Sequence, residues 1–253
     1  MILFKKILAC FCVLSGLIFC PEIKAINNRK AVKLSTKKQK NVDKLNNKNN
    51  KRKKRIVYRQ EMRDVAIKIF IDQGHNPTGF ANTGAQGNGL YEQDITYNVG
   101  KNLESLLKKD PRFEVKVSRP TKSTVLGTSN STSLESRVNA ANAWGADYFV
   151  SIHVNANDNP NINGTECYVY ADNSKGYYLA IQILNSIVEE LKTKNNGVRI
   201  RPSLYVLRKT KMPSVLVELA YISNYADSIK LKNDQYKFAV AIYKGMLDYF
   251  KFS

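Results

Sequence analysis

From Val65 to Phe252, apolar runs of strand length alternate with amphipathic stretches of helical length. That alternation limits the fold more than any other feature of the chain. Val65–Asp72, Phe113–Ser118, Tyr148–Val154, Thr165–Tyr170 and Val215–Leu219 read as strands. Gln93–Leu107 sets Ile95, Val99, Leu103, Leu106 and Leu107 at helical spacing. Leu134–Trp144 places Leu134, Val138 and Ala141 on one face, with Gly145 as its stop, and Tyr177–Leu191 and Tyr236–Phe250 complete the helices. Strands and helices alternating at this spacing predict an α/β fold: a single layered domain, its mostly parallel central sheet flanked by helices on both faces. Residues 61–253 are enough for one substantial core. Gln73–Gly89 and Arg119–Ser133 read as long polar loops, the first exposed. Gly84-Ala-Gln-Gly-Asn-Gly lacks the spacing of a dinucleotide fingerprint.

The start of the chain has a different character. Lys5 and Lys6 precede an apolar stretch from Ile7 to Phe19, with small residues before a cut after Ala25, as in a secretory signal peptide over residues 1–25. The run is short for a spanning helix, which needs ~20 residues. Bulky Phe19 argues against lipid attachment at Cys20. Cys10, Cys12 and Cys20 leave with the signal, so Cys167 is the one cysteine of the mature chain and reads as a plain buried residue. Between Ile26 and Gln60 stand 14 Lys and Arg against one acid, Asp43. That segment holds most of the formal charge of +19, with no sustained helical or strand period. It reads as a basic disordered linker, attracted to anionic wall polymers or serving as a spacer. Its lack of stacking aromatics argues against nucleic acid as the partner. These readings place the protein outside the cell or in the envelope, with no membrane span after signal cleavage.

Histidine occurs twice, and each time where a hydrophobic run ends in polar residues. His75 follows Val65–Gln73, and His153 closes Tyr148–Ile152. In an open α/β sheet the functional crevice lies at the carboxyl ends of the strands, so the two imidazoles can meet there. Taken singly, each is an ordinary turn or strand-end histidine. As a pair they suggest metal ligation, and Glu92 at the start of a helix would complete two imidazoles and a carboxylate with one position open, as in a catalytic zinc site. Simple matching of Glu92 to the helix dipole is the alternative. Glu218 sits between Val217 and Leu219, on the opposite face of its strand, where an unpaired carboxylate is costly to desolvate. It reads as an acid/base group beside the metal, or else as a salt-bridge partner of Arg137 or Arg119.

These residues resemble the zinc-dependent N-acetylmuramoyl-L-alanine amidases, the amidase family 3 catalytic domain, over nearly all of Ala66–Phe250. The resemblance rests on Ile71-Asp-Gln-Gly-His, Glu92 opening its helix, Val117-Ser-Arg-Pro, Leu134-Glu-Ser-Arg-Val-Asn-Ala-Ala-Asn, Ala146-Asp-Tyr-Phe-Val-Ser-Ile-His-Val-Asn-Ala and Val215-Leu-Val-Glu-Leu-Ala-Tyr-Ile-Ser-Asn. It implies one zinc ion on His75, Glu92 and His153, and Glu218 as catalytic acid/base. It also implies cleavage of the peptidoglycan amide between N-acetylmuramic acid and L-alanine. Arg119, Arg137 and Asn155 are candidates for supporting or substrate-binding roles. Asn76-Pro77 departs from the two glycines that often follow the first histidine. The short Asn155–Asn163 connection leaves no room for the inhibitory helix some relatives carry, so no lid is expected.

Three rivals remain at this point: another exported zinc peptidase acting on wall peptides, a non-catalytic wall-binding protein, and a secreted polyanion-binding protein whose basic segment is its working part. The chain lacks the H-E-x-x-H of the common helical zinc peptidases. The four site residues argue against a domain that merely docks.

Overall fold

The computed structural model describes residues 40–53 and 66–252. The chain divides into two units, Met1–Tyr58 and Arg59–Ser253. The expected signal segment lies outside the described residues. Residues 40–53 form a helix (α1), exposed along its length, where no regular structure was expected. This stretch has no Gly or Pro to interrupt it, and its lysines are good helix formers. Lys40, Lys44, Lys48 and Arg52 recur every four residues and so fall on one side of it. No described helix is long and apolar enough to cross a membrane.

The second unit is built on six strands: β1 (Ile67–Gln73), β4 (Phe113–Val117), β5 (Tyr148–Asn155), β6 (Thr165–Val169), β7 (Asn195–Ile200) and β8 (Ser214–Tyr221). Their order is β4-β1-β5-β8-β6-β7. β4, β1, β5 and β8 are mutually parallel, whereas β6 runs antiparallel to β8 and parallel to β7. The reversal follows from the short connection out of β5: a parallel crossover needs about a dozen residues or more, and residues 156–164 are too few.

Strand alternation gives the sheet two unlike faces. On one, Ile69, Ile71, Val150, Ile152, Val154, Cys167, Val169, Val215, Val217 and Leu219 meet three long helices in one continuous core. These are α2 (Glu92–Lys109), α4 (Lys175–Leu191) and α7 (Gln235–Phe250), with α6 (Tyr225–Asn233) contributing Leu231. On the other face, Phe70, Phe149 and Leu216 pack under α3 (Asn130–Trp144) and the short α5 (Tyr205–Lys209). Beyond this small core the second face turns polar, with Asp72, Ser151, His153, Glu166 and Glu218.

Local chemistry sets the helix ends. α3 starts four residues before the expected Leu134 because Ser129 and Thr132 form a capping box, and it stops at Gly145, which takes the left-handed conformation at φ 66. Ser174 and Asn224 cap α4 and α6 through their side chains. The Gln73–Gly89 loop is more ordered than expected. Asn88-Gly89 turns a small hairpin between β2 (Gln86–Gly87) and β3 (Leu90–Tyr91). Asn76, fully buried, donates to the carbonyls of Ala81 and Leu126 and accepts from Leu126 N. The departure at Asn76 is therefore a tie between two loops.

Candidate metal centre

His75 stands just past the end of β1 with φ 69, a conformation that costs a non-glycine residue roughly 1–2 kcal/mol. Its surroundings hold it there. Arg137 Nη2 donates to the His75 carbonyl at 2.7 Å, and Arg137 Nη1 donates to Asp72 Oδ1 at 2.7 Å. Asn76 N donates to Asn82 O, closing the turn. Gly74 is required by close approach: a Cβ there would lie 2.6 Å from His153 Cε1 and 2.7 Å from the Ile152 carbonyl. Gly84 serves likewise on the other side, where a Cβ would stand 2.7 Å from Glu92 Oε2. The two glycines let both loop arms close around the site.

Glu92, His75 and His153 converge, their ligand atoms all within 4.8 Å of one another. His75 Nε2 lies 3.2 Å from Glu92 Oε1, and His153 Nδ1 lies 3.1 Å from the same oxygen. The carboxylate is braced from two other segments, with Ala85 N donating to Oε2 at 2.8 Å and Val154 N donating to Oε1 at 2.9 Å. Its oxygens thus serve other elements, which is more than dipole matching at a helix start requires. Burial pushes the Glu92 pKa up, but the hydrogen bonds from His153 and His75 outweigh it and hold the group far below the usual carboxylate range.

The donor set fits a cation. His75 Nδ1 is 3.2 Å from the Asn82 carbonyl, which can only accept, so Nδ1 carries the proton. Nε2 then faces Glu92 Oε1, an oxygen that can only accept, so either a second proton or a metal ion must lie between them. Two imidazoles with one carboxylate is a ligand set of catalytic zinc.

Glu218 is the cross-strand partner of His153 on β5 and of Glu166 on β6, which puts all three on the second face of the sheet. Its Oε2 is buried with no hydrogen-bond partner among the described residues. Burial first, then the neighbouring carboxylates of Glu92 and Glu166, push its pKa well above the ordinary value. Neither expected salt-bridge partner reaches it. Arg137 is committed to Asp72 and the His75 turn, and Arg119 donates to the carbonyls of Gln93 and Lys122. Both arginines are essentially unexposed. Asn155 is half-buried and donates from Nδ2 to Glu166 Oε1 at 2.6 Å.

Glu166 did not stand out in the sequence. It is buried, yet Oε1 accepts from Asn155, Tyr168 and Tyr221, and Arg199 Nε lies 2.7 Å from Oε2. Burial and this carboxylate push the Tyr168 hydroxyl up to about 12, so it remains a donor. The periodicity that marks Glu218 marks Glu166 too, since Cys167 and Val169 take the apolar face and Glu166 and Tyr168 the other. Cys167 is fully buried, and burial, then Glu218 and Glu166, push its thiol up, as suits a packing residue and not a nucleophile.

The family model described as N-acetylmuramoyl-L-alanine amidase matches residues 69–248, a span that holds the sheet and all four converging groups. The chain belongs to this amidase family. Among its relatives is the amidase LytC of Bacillus subtilis, 41% identical over 195 residues, covering 74% of this chain and 36% of the relative. CwlM of Bacillus licheniformis is 34% identical over 176 residues, covering 69% of this chain and 64% of the relative. The chain thus spans about a third of the first and under two thirds of the second. The amidase fold is shared with the catalytic domain of CwlV from Bacillus (Paenibacillus) polymyxa var. colistinus, with 30% identity and a TM-score of 0.65 over 74% of this chain and 99% of that one. An amidase from Clostridium difficile 630 matches at 29% identity, a TM-score of 0.65, and 74% and 98% coverage.

Proposed function

We propose that the protein hydrolyses the peptidoglycan amide between the lactyl group of N-acetylmuramic acid and L-alanine. One zinc ion would be held by His75, Glu92 and His153, with Glu218 as acid/base. The observation that carries this is the convergence of those three ligands beside a half-buried glutamate whose Oε2 is buried with no hydrogen-bond partner among the described residues. Zinc bound there would polarise the scissile carbonyl and acidify a water molecule. The chain's own part is proton handling and placement. Glu218 Oε2 takes a proton from the attacking water and returns it to the leaving alanine nitrogen as the C–N bond breaks. Arg137 fixes the His75 turn, while the amides of Ala85 and Val154 hold Glu92 in place.

Elemental analysis of the full chain tests the ligand set. About one zinc per chain is expected in the wild type, and a marked loss in His75→Ala and in His153→Ala. Equal zinc in all three proteins sinks the assignment.

The rest of the chain supports export to the envelope: residues 1–25 as signal, 26–60 as a basic attachment segment and 61–253 as the catalytic domain. The cationic row Lys40, Lys44, Lys48 and Arg52 on α1 suits an anionic wall polymer. Deleting residues 26–60 is expected to leave hydrolysis of soluble muropeptides nearly unchanged. It is also expected to weaken binding to intact walls and to remove most of that binding's dependence on salt, which screens charges beyond about 8–10 Å. Identical wall binding by both forms at low salt would reduce the segment to a spacer.

A further inference from the structure

On the second face, α3 and α5 pack over β1, β5 and β8. Toward the sheet edge, β6 and β7 present a charged strip made of Glu166, Tyr168, Arg199 and Arg201. Glu166 pairs with Glu218 and so continues the row that begins at His153, while Tyr168 pairs with Leu216 and Arg199 one step along the same face. Glu166 is saturated, with three donors on Oε1 and Arg199 on Oε2. Arg199 is not. It spends Nε on Glu166, its side chain stays 53% exposed, and its two terminal nitrogens have no acceptor among the described residues. The Arg201 guanidinium sits 5.6 Å from the centre of the Tyr168 ring and adds a second positive charge.

We propose that Arg199 recognises a free carboxylate on the peptide side of the substrate, on the residue that follows the released alanine. This rests on the amidase reading and gives it a substrate preference. The distances suit it. Neighbouring strands lie about 4.8 Å apart, so Glu166 stands one strand from Glu218, and Arg199, two strands away and out of register, reaches back with its guanidinium to Glu166. An extended peptide advances about 3.4 Å per residue, so one or two residues beyond the bond held at Glu218 reach the guanidinium. A planar fork with its terminal nitrogens open matches a carboxylate in two-point contact. Glu166 holds the fork by its Nε, which orders it before the substrate arrives. An amidated residue at the same position would bring its own N–H donors against the fork and lose the charge.

The test compares two soluble substrates on the full-length protein, both with the γ-carboxyl of the second residue capped as a methylamide: N-acetylmuramoyl-L-alanyl-D-glutamic acid, with its α-carboxylate free, and the corresponding α-amide, N-acetylmuramoyl-L-alanyl-D-isoglutamine. The wild type is expected to favour the acid by about tenfold in kcat/KM, the size of one charge-assisted hydrogen bond. Arg199→Gln should bring that ratio close to one, mainly through KM for the acid. Arg199→Lys should keep part of the preference, since it retains the charge without the fork. A wild type that cleaves both substrates equally overturns the proposal, as does an Arg199→Gln variant with the wild-type ratio. Equal losses on both substrates in both variants also overturn it, making Arg199 a prop for Glu166. A wild type that cleaves neither overturns the amidase reading itself and takes this proposal with it.

Discussion

The two faces of the sheet answer to different demands, and β8 shows this within a few residues. Val215, Val217 and Leu219 point into a core shared by three long helices, and all three are fully buried. Leu216 packs in the small core of the second face, and Glu218, next along that face, is half-buried, its Oε2 buried without a hydrogen-bond partner among the described residues. The apolar face is where burial stabilises the fold, at roughly 1.5–3 kcal/mol for each large side chain. The second face gives up part of that stabilisation to hold polar groups in fixed positions. Asp72, Ser151 and Arg137 form its deep layer, paired and hydrogen-bonded among themselves. Glu218, Glu92 and the histidines form its outer layer, where the groups are poised against one another.

Neighbouring residues on β8 provide the sharpest test. Glu218→Gln is expected to keep the metal and lower turnover by ~10²–10⁴, the usual cost of losing a positioned general base. Leu219→Ala is expected to leave the metal site intact but to lower stability by about 2–5 kcal/mol through the cavity it opens. Stability and pH should separate them again. The Glu218 pKa is raised in the fold, so its protonated form is the favoured one. The stability this gives is present below the unfolded pKa and is lost as pH rises through the folded one. With metal removed by chelation, Glu218→Gln should therefore unfold at the same temperature as wild type or higher, with the gap widening as pH rises. If Glu218→Gln loses stability like Leu219→Ala and keeps its turnover, the division between the faces is wrong.

Much of this was legible in the sequence, and what was missed has physical causes. Long apolar runs and amphipathic helices gave β1, β5, β8, α2, α4 and α7, because each buries a wide stripe that cannot be hidden from a periodicity argument. β7 escaped because Asn195–Ile200 is a partly exposed edge strand with little apolar content. α5 has only five residues, and α6 carries a weak apolar stripe. The direction of β6 is written in the connection before it, not in its own residues. His75, Glu92 and His153 could be picked out as candidates because histidine is so scarce here. Glu166 is less legible because its strand, Thr165–Val169, is short and mixes polar and apolar residues, so a carboxylate there does not stand out as Glu218 does. The left-handed turn at His75 and the Arg137 clamp depend on contacts some sixty residues apart in sequence, which no local pattern carries.

The mildest test lies in the deep layer of the polar face. Ser151 Oγ donates to Asp72 Oδ2 at 2.8 Å, opposite the Arg137 contact on Oδ1. Burial alone would raise the Asp72 pKa, but Arg137 and its hydrogen bonds hold it below the ordinary value. A depressed carboxyl stabilises the fold above its unfolded pKa, and the effect fades as pH falls through the folded one. Ser151→Ala removes one donor to the ionised carboxylate and leaves its hydroxyl's place empty, so about 1.5–3 kcal/mol should be lost at neutral pH. The loss should shrink at pH values acid enough to protonate Asp72. Urea midpoints of the two proteins at neutral and acid pH measure it. A penalty that stays constant down to the acid limit would mean that Ser151 stabilises by packing. The deep layer would then behave like the apolar face it is contrasted with.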